Sequence, residues 1–243
     1  MIWQRSNHNK LHLIILALFL FILGNPTVFA HTPEEKSFYL QSRIVLQLTP
    51  FDVTAGNVVG VWHLEYNELP QSEKAFETVL KKAPGHFLAS AGLALIREHQ
   101  GNDNQALKLV DEISKFPAGF STFLSLIRGR VLFRQGQIKA AKSALLKGLP
   151  QAVNPHSHRI WLGRVFEKEE KFAQAEKEYR KAIEADPFWL EPYSRLSLLF
   201  NRQGRKKEAL DMMSDIASLD NPSPYPNTDI QVMWRWAMSA DNR

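Results

Sequence analysis

Small residues and bulky apolar residues recur along this chain with a period of 34 or 35 residues. One small position holds Gly, Ala or Ser at five places: Gly60, Ala94, Gly129, Gly163 and Ser197. A second small position keeps the same register at Ala106, Ala141, Ala175 and Ala209. A bulky apolar position follows the same register at Phe76, Val110, Leu145, Tyr179 and Met213. A fixed period of this length predicts stacked copies of one small structural unit.

Each copy has the pattern of two antiparallel helices. Small residues on facing sides let two helix backbones approach closely, and the bulky residue fills the gap one turn further along. A glycine marks the turn in the middle of three copies, at Gly101, Gly136 and Gly204, where a left-handed residue ends the first helix. Because a single pair leaves an apolar face uncovered, several pairs must stack to bury it.

The period predicts five units and a helix on either side of them. The five units span residues 53–86, 87–121, 122–155, 156–189 and 190–223. The preceding segment 31–52 predicts an N-terminal capping helix with Pro33 at its first position. The following segment 224–243 predicts a C-terminal capping helix, which we expect to cover the open end of the stack. The alternative for this last helix is a docking surface built by Trp234 and Trp236.

The unit resembles the tetratricopeptide repeat, a helix-turn-helix of about 34 residues. The fourth copy carries the resemblance best, through Leu162-Gly163, Phe166, Phe172, Ala175, Tyr179, Ala182-Ile183 and Asp186-Pro187. The second copy has Arg97 where the family has an aromatic residue, and the first has Ser72 for Ala and Asn67 for Gly. The resemblance implies an all-α, right-handed superhelical solenoid of about five antiparallel helix pairs with a capping helix at each end.

The first thirty residues have the layout of a secretory signal peptide. Arg5 and Lys10 precede an apolar run at 11–23, a helix-breaking Gly-Asn-Pro follows, and Val28 and Ala30 supply small residues before the cleavage point. We therefore expect cleavage after Ala30 and an exported protein, which is periplasmic if the source is Gram-negative. The alternative is an uncleaved anchor that tethers the chain to a membrane, although the apolar run is shorter than the roughly 20 residues that span a bilayer.

Composition and charge narrow the classes of function. The 243 residues include 30 Lys and Arg against 25 Asp and Glu, 44% hydrophobic residues and no Cys. The predicted signal peptide holds two of the basic residues, so the remainder has 28 basic and 25 acidic residues, a net charge of +3. This near-neutral balance argues against nucleic-acid binding. The lack of Cys excludes disulfides, thiolate metal sites and Cys nucleophiles.

No catalytic motif has the right spacing, so we expect neither enzyme activity nor a cofactor. The sequence has no phosphate-binding loop, no HExxH, no GxSxG and no EF-hand loop. His156 and His158 are two residues apart at a predicted helix start, where their side chains diverge, which disfavours a metal site. His31 would begin the cleaved chain, but no second fixed ligand is evident. An auxiliary enzyme or metal carrier that uses these histidines is the alternative of a different class.

In the stacks of this family, the first helix of every unit lines a concave face. Basic residues share two positions of that helix in the third to fifth units: Arg130 and Arg164 at one position, and Arg134, Lys168 and Arg202 four residues on. Because residues at i and i+4 share a helix face, these five cations predict a basic ladder across three units.

Apolar side chains and a change of sign complete the predicted groove. Phe123 and Phe133 lie on or beside the basic face and would provide apolar contacts there. The first two units place Glu65 and Glu98 at equivalent sites, so the charge of the groove changes sign along its length. The pattern favours a non-catalytic scaffold whose groove binds a protein or an acidic, extended peptide, in assembly or maturation of a cell-envelope system. The alternative is a solvated face whose ion pairs are incidental.

Overall fold

The computed structural model describes residues 33–113, 116, 119–152, 155–218, 233–234 and 237, with side chains from residue 36 onwards. The chain divides into two units, Met1–Phe38 and Tyr39–Arg243. The predicted signal peptide 1–30 and His31 lie outside the described residues. The helix pairs considered below all belong to the second unit.

Eleven α-helices with described bounds and no β-strand make up the described part of the chain, which confirms the all-α class. The N-terminal helix is α1 (Pro33–Leu48). Ten further helices follow as five consecutive pairs: α2 (Val53–Glu65) and α3 (Leu69–Lys82), α4 (Phe87–His99) and α5 (Asp103–Glu112), α6 (Phe120–Arg134) and α7 (Ile138–Gly148), α8 (His156–Lys168) and α9 (Phe172–Ala185), α10 (Leu190–Arg202) and α11 (Lys206–Ser218). A short 3-10 turn, Leu149–Gln151, follows α7.

The turn inside each pair takes the same left-handed conformation, as the glycine pattern predicts for three copies. Gly101, Gly136 and Gly204 each have φ of +75°. At the corresponding turns of the first and fourth pairs, Asn67 and Glu170 each have φ of 57°. A residue with a Cβ atom adopts this conformation at a cost of roughly 1–2 kcal/mol. The register of the turn is therefore kept even where the sequence lacks glycine.

The substitution Glu170→Gly should raise the free energy of unfolding by about 1 kcal/mol, because glycine relieves the left-handed strain and the Glu170 side chain is exposed. Urea denaturation followed by circular dichroism measures the change. The reciprocal variant Gly136→Glu serves as the control and should lose a similar amount. Equal stability of both variants and the parent would show that the turn conformation carries no strain.

The predicted small-against-large contacts lie at the centre of the pairs. A Cβ atom added to Gly163 would be 2.4 Å from Cε1 of the buried Tyr179 ring, and one added to Gly129 would be 2.6 Å from Leu145 Cδ2. Gly60 stands in the same relation to the Phe76 ring, at 2.5 Å. All four alanines of the second small series are buried: Ala106, Ala141, Ala175 and Ala209. The helices thus approach where the sequence period predicts, which confirms a solenoid of nested helix pairs.

One member of the bulky series departs from the pattern. Met213 is 52% exposed, although its counterparts in the other pairs are buried. It lies on α11, the second helix of the fifth pair, and the described residues include no sixth pair to pack against it. Its exposure follows from its place at the end of the repeats.

At two helix crossings a serine occupies the small position, and its hydroxyl forms a hydrogen bond between the two helices of the pair. Ser72 Oγ donates a hydrogen bond to the Gly60 carbonyl at 2.8 Å. Ser197 Oγ donates to the Ala209 carbonyl at 2.9 Å in the fifth pair. Each hydroxyl is small enough for the crossing and finds an acceptor there, so the substitution for Ala or Gly leaves no buried donor unsatisfied.

Arg97 replaces the family's aromatic residue with a charged contact. Its guanidinium pairs with Glu73 of α3 and donates to Gln100 Oε1 at 2.9 Å. The contact between the first and second pairs at this point is therefore polar.

The predicted C-terminal capping helix lies mostly outside the described residues. Its described members, Met233, Trp234 and Ala237, are helical and buried. Trp234 Nε1 donates to Glu65 Oε2 at 2.6 Å, across 169 positions of sequence. Trp234 therefore lies against the first helix pair, which differs from the position expected over the open end of the stack. The acceptor for the indole N–H is the physical reason, since a buried indole needs a partner.

Candidate partner-binding face

The first helices of the pairs lie side by side and present matching positions on one face. Helices α2, α4, α6 and α8 contact one another in turn. One series of matching positions consists of Val61, Leu95, Arg130, Arg164 and Leu198. A second series, four residues further on, consists of Glu65, His99, Arg134, Lys168 and Arg202. We call the surface formed by these two series the groove face.

In the first series of the groove face, solvent exposure rises from the first pair to the fifth. In the first series, the exposed fraction is 0% at Val61, 1% at Leu95, 9% at Arg130 and 53% at Leu198. Arg164, between the last two, is half-buried. We call the part of the face on the first three pairs, where the first series is buried, the covered half, and the part on the last two pairs the open half. His99 and Arg134 of the second series are exposed at the edge of the covered half.

Two of the predicted site cations are engaged by acidic residues of the second pair. Arg130 Nη2 lies 2.5 Å from Glu98 Oε2, and Arg134 Nη1 lies 3.0 Å from Glu98 Oε1. Arg134 also pairs with Asp103. Burial lowers the pKa of Arg134, but the hydrogen bond to Asp103 and the charges of Glu98 and Asp103 outweigh it and raise that pKa. These ion pairs neutralise Arg130 and Arg134, and they link the second helix pair to the third.

Arg164 has a different environment, in which aromatic rings replace carboxylates. Its guanidinium carbon lies 3.8 Å from the centroid of the Trp161 ring and 5.1 Å from that of Phe133. Burial lowers the pKa of Arg164, and the charge of Arg195 lowers it further. Stacking on two rings fixes the orientation of the guanidinium and leaves its N–H edge available for a ligand.

Lys168, Arg202 and Leu198 complete the open half. Arg202 Nη1 lies 3.1 Å from Glu167 Oε2, and the Glu167 carboxylate also accepts the hydroxyl of Tyr179. Among the described side chains, neither Arg164 nor Lys168 has a carboxylate within ion-pair distance. Two of the five predicted cations therefore form no ion pair with a described side chain, although the charges of Glu191 and Glu167 act favourably on Arg164. Both cations lie in the open half, which also includes the exposed Leu198.

The two predicted aromatic site residues lie in different places. Phe123 is 2% exposed and packs on Phe120, with 5.4 Å between ring centroids. It belongs to the core under the covered half, so it does not offer the apolar footing that the sequence suggests. Phe133 is only partly buried, and its ring meets Trp161 edge-on at 5.6 Å. Phe133 therefore lies at the surface next to the Arg164 guanidinium.

The histidines considered for metal binding are buried in the helix stack. His158 Nε2 lies 3.2 Å from Ser125 Oγ and the same distance from the Thr122 carbonyl oxygen. The His156 ring packs against Trp189 at 5.3 Å. Within the described part of the chain, no three potential metal ligands come together. The two imidazoles have separate neighbours, which agrees with the divergence expected from their spacing.

Sequence reasoning missed Trp161 and Asp103 as parts of this face, and it placed Glu98 there without its ion pairs to Arg130 and Arg134. Trp161 lies one turn before Arg164 on α8, a spacing that places a ring beneath a cation. Glu98 and Asp103 lie 31 to 36 residues before the arginines they bind. Separations close to one repeat period indicate contact between adjacent pairs, and this was the signal available in the sequence.

Five stacked helix pairs with a partly charged groove face define a helical-repeat protein of the scaffold type. A sequence model of the tetratricopeptide repeat matches residues 63–119, 126–189 and 162–224. The chain therefore belongs to the tetratricopeptide repeat family, whose members are typically non-catalytic scaffolds. No curated protein sequence matches the chain significantly.

Solved structures with the same fold share little sequence identity with this chain. MamA from Desulfovibrio magneticus RS-1 is 16% identical, with a TM-score of 0.53 over 79% of this chain and 97% of MamA. YrrB, described as a TPR protein with an unusual peptide-binding site, is 14% identical, with a TM-score of 0.50 over 80% of this chain and 97% of YrrB. In the Cut9–Hcn1 complex of APC/C, the matching chain is 17% identical, with a TM-score of 0.67 over 84% of this chain and 40% of its own. At these identities the likeness shows the fold alone.

Proposed function

We propose that this protein is an exported, non-catalytic scaffold that binds an acidic, extended segment of a partner protein on the open half of the groove face. In this proposal it works in assembly or maturation of a cell-envelope system, and any catalysis belongs to the partner. Family membership supports the scaffold role, and the side chains of the open half support the chemistry of the ligand.

The observation that carries the proposal is a pair of cations on α8, Arg164 and Lys168, that form no ion pair with a described side chain. Arg164 stacks on Trp161, and Lys168 lies one turn further on, exposed. A carboxylate would form charge-assisted hydrogen bonds with the planar guanidinium, which is already oriented. Because burial lowers the pKa of Arg164, an incoming negative charge would relieve an existing desolvation cost.

The repeat geometry supports an extended ligand. Adjacent first helices present the same positions at each repeat, so a chain lying across them meets similar contacts in succession. Leu198 of the fifth pair is exposed next to the cations of the fourth, and it offers an apolar contact between charged ones. A segment that alternates acidic and apolar residues matches this order.

The export component rests on the pattern of the first thirty residues. A basic start, a short apolar run and small residues before Ala30 are typical of a cleaved signal peptide. Within the part of the chain that the structure describes, every helix is too short or too polar to cross a membrane. A cleaved chain would meet its partner outside the cytoplasm.

The proposal is tested by photocrosslinking in the cells that express the protein. Benzoylphenylalanine in place of Leu198 should give one discrete adduct. Adding Arg164→Gln and Lys168→Gln should reduce its yield about tenfold or more, because two charge-assisted contacts are lost. The matched control is Lys177→Gln, which removes an exposed cation of α9 away from the groove face and should leave the yield unchanged. The intact mass of the recovered protein should correspond to a chain that begins at His31.

Undiminished crosslinking of the Arg164→Gln, Lys168→Gln protein would contradict binding at the open half. A mass that includes residues 1–30, recovered in the membrane fraction, would replace export by the tethered alternative. Circular dichroism of each variant controls for folding, since exposed or half-buried side chains of α8 contribute little to helix formation.

A further inference from the structure

The first-series residues of the covered half are buried, although the described helix pairs do not pack over this face. On α4, every residue from Phe87 to Ile96 is buried, including the groove-face residue Leu95. The described neighbours of α4 are α2, α3, α5 and α6, which belong to the stack itself. The equivalent positions of the fourth and fifth pairs, which have the same kind of neighbours, include exposed side chains such as Leu198. An additional element must therefore lie on the covered half.

Trp234 identifies that element. Its indole Nε1 donates to Glu65 Oε2 at 2.6 Å, and its ring meets Trp62 edge-on with 6.2 Å between centroids. Glu65 belongs to the second series of the groove face, at the position that Lys168 occupies in the open half. Met233 is also fully buried. Part of the C-terminal segment thus lies on the groove face of the first pair.

The Trp62 ring that meets the Trp234 indole belongs to a cluster of aromatic side chains next to the Glu65 carboxylate, which we call the aromatic box. The ring of Tyr39 stacks on Trp62 at 4.3 Å with an angle of 8° between planes, and Tyr66 packs on the same indole at 4.9 Å. Glu65 provides the acceptor at the edge of this box. The box thus offers ring contacts and one acidic acceptor, which suits an indole: phenylalanine would fill the space but has no N–H for Glu65.

We propose that the covered half of the groove face is a second binding site, specific for a tryptophan-bearing apolar helix, and that the C-terminal segment of this same chain is its occupant. The covalent connection holds the segment at an effective concentration in the millimolar range, so a free ligand of similar affinity does not displace it. The occupied site confines partner binding to the open half. This inference rests on the position of Trp234 and does not depend on the function proposed for the open half.

The test uses the full chain and a release variant, Met233→Asp with Trp234→Asp, which places two charges in an apolar site beside Glu65. Hydrogen exchange followed by mass spectrometry should show amide exchange in α2 and α4 accelerated by about tenfold or more, with α10 unchanged. Trp234→Phe keeps a ring and loses only the indole donor, so its exchange should be intermediate. Circular dichroism reports whether the helix pairs remain folded.

A labelled synthetic peptide that copies residues 224–243 then tests the site in trans. It should bind the release variant and not the parent, whose own segment competes. Adding Glu65→Gln to the release variant should weaken the peptide at least about fivefold, because the charged acceptor is lost. Adding Glu77→Gln, an exposed carboxylate of α3, is the matched control and should have no effect.

Three results would overturn the proposal. Unchanged exchange in α4 of the release variant would mean that the segment does not protect the covered half. Equal binding of the peptide to parent and variant, or to neither, would mean that no such site exists. A parent that elutes as a dimer and becomes a monomer on release would assign the site to the segment of a second copy. Each of these leaves the Leu198 crosslink unaffected, so the two proposals fail separately.

Discussion

Replacing Glu98 by Leu should lower the free energy of unfolding by about 3–5 kcal/mol, the range expected when one partner of a buried ion pair is removed. The Glu98 side chain is 4% exposed, and its two oxygens bind Arg130 and Arg134. Arg134 keeps Asp103 after the substitution. The Arg130 guanidinium, which is also buried, loses its carboxylate and accounts for most of the expected cost.

The reciprocal change distinguishes this explanation from a general loss of packing. Adding Arg130→Leu to Glu98→Leu should recover most of the stability, because a well-packed apolar pair can replace a buried ion pair at little cost. The matched control is Glu112→Leu, whose carboxylate lies at the surface 3.8 Å from Lys108 and contributes at most about 1 kcal/mol. Urea denaturation measures all four proteins. A Glu98→Leu protein as stable as the Glu112→Leu protein would contradict the buried network.

Replacing Tyr179 by Ala should also cost about 3–5 kcal/mol, the usual cost of truncating a buried aromatic side chain. Tyr179 is fully buried between α8 and α9, and its ring takes the space that a Cβ atom on Gly163 would need. Its hydroxyl donates to Glu167, a contact that is lost with the ring. Thermal and urea unfolding of the variant report the loss.

The small-against-large pairing predicts a reversal of sign at Gly163. Gly163→Leu in the parent should destabilise by about 1–3 kcal/mol through overpacking. The same substitution in the Tyr179→Ala protein should stabilise, because the new side chain enters the cavity left by the ring. If Gly163→Leu has the same sign in both backgrounds, the two residues do not share one space, and the repeat register is wrong.

The helix pairs were predictable because their signals are local and repeated. Gly163 and Tyr179 lie within one unit, and so do Gly129 and Leu145, so the period places each pair of residues in contact. The left-handed turn is marked by Gly136 in the same way. Serine is small enough for these positions, so its presence there agrees with the repeat pattern. The hydrogen bond from Ser72 to the Gly60 carbonyl is seen only in the structure.

The sequence predicted less well which cations of the candidate site form ion pairs, because those pairs are made between adjacent units. The sequence places five cations on α6, α8 and α10, but Glu98 of the previous pair forms ion pairs with Arg130 and Arg134. Periodicity within one helix does not reveal which acid faces which base across a crossing. Arg164 forms no ion pair with a described side chain and stacks on two rings instead.

The repeat period does not predict the position of Trp234. The indole meets Glu65 across 169 residues, and no repeated spacing marks such a contact. The amphipathic stripe of the last helix indicates only that it packs on an apolar surface, and both ends of the stack and the groove face satisfy that condition. Phe123 is buried for a different reason, because its ring packs on Phe120 within the helix stack.

The most direct test of binding at the open half is the identity of the segment crosslinked from position 198. Digestion of the adduct and sequencing of the attached peptide by mass spectrometry give that segment. We expect a stretch of a partner protein in which Asp or Glu alternates with apolar residues, to match Arg164, Lys168 and Leu198. A basic or uncharged segment, or the chain's own residues 219–243, would contradict it.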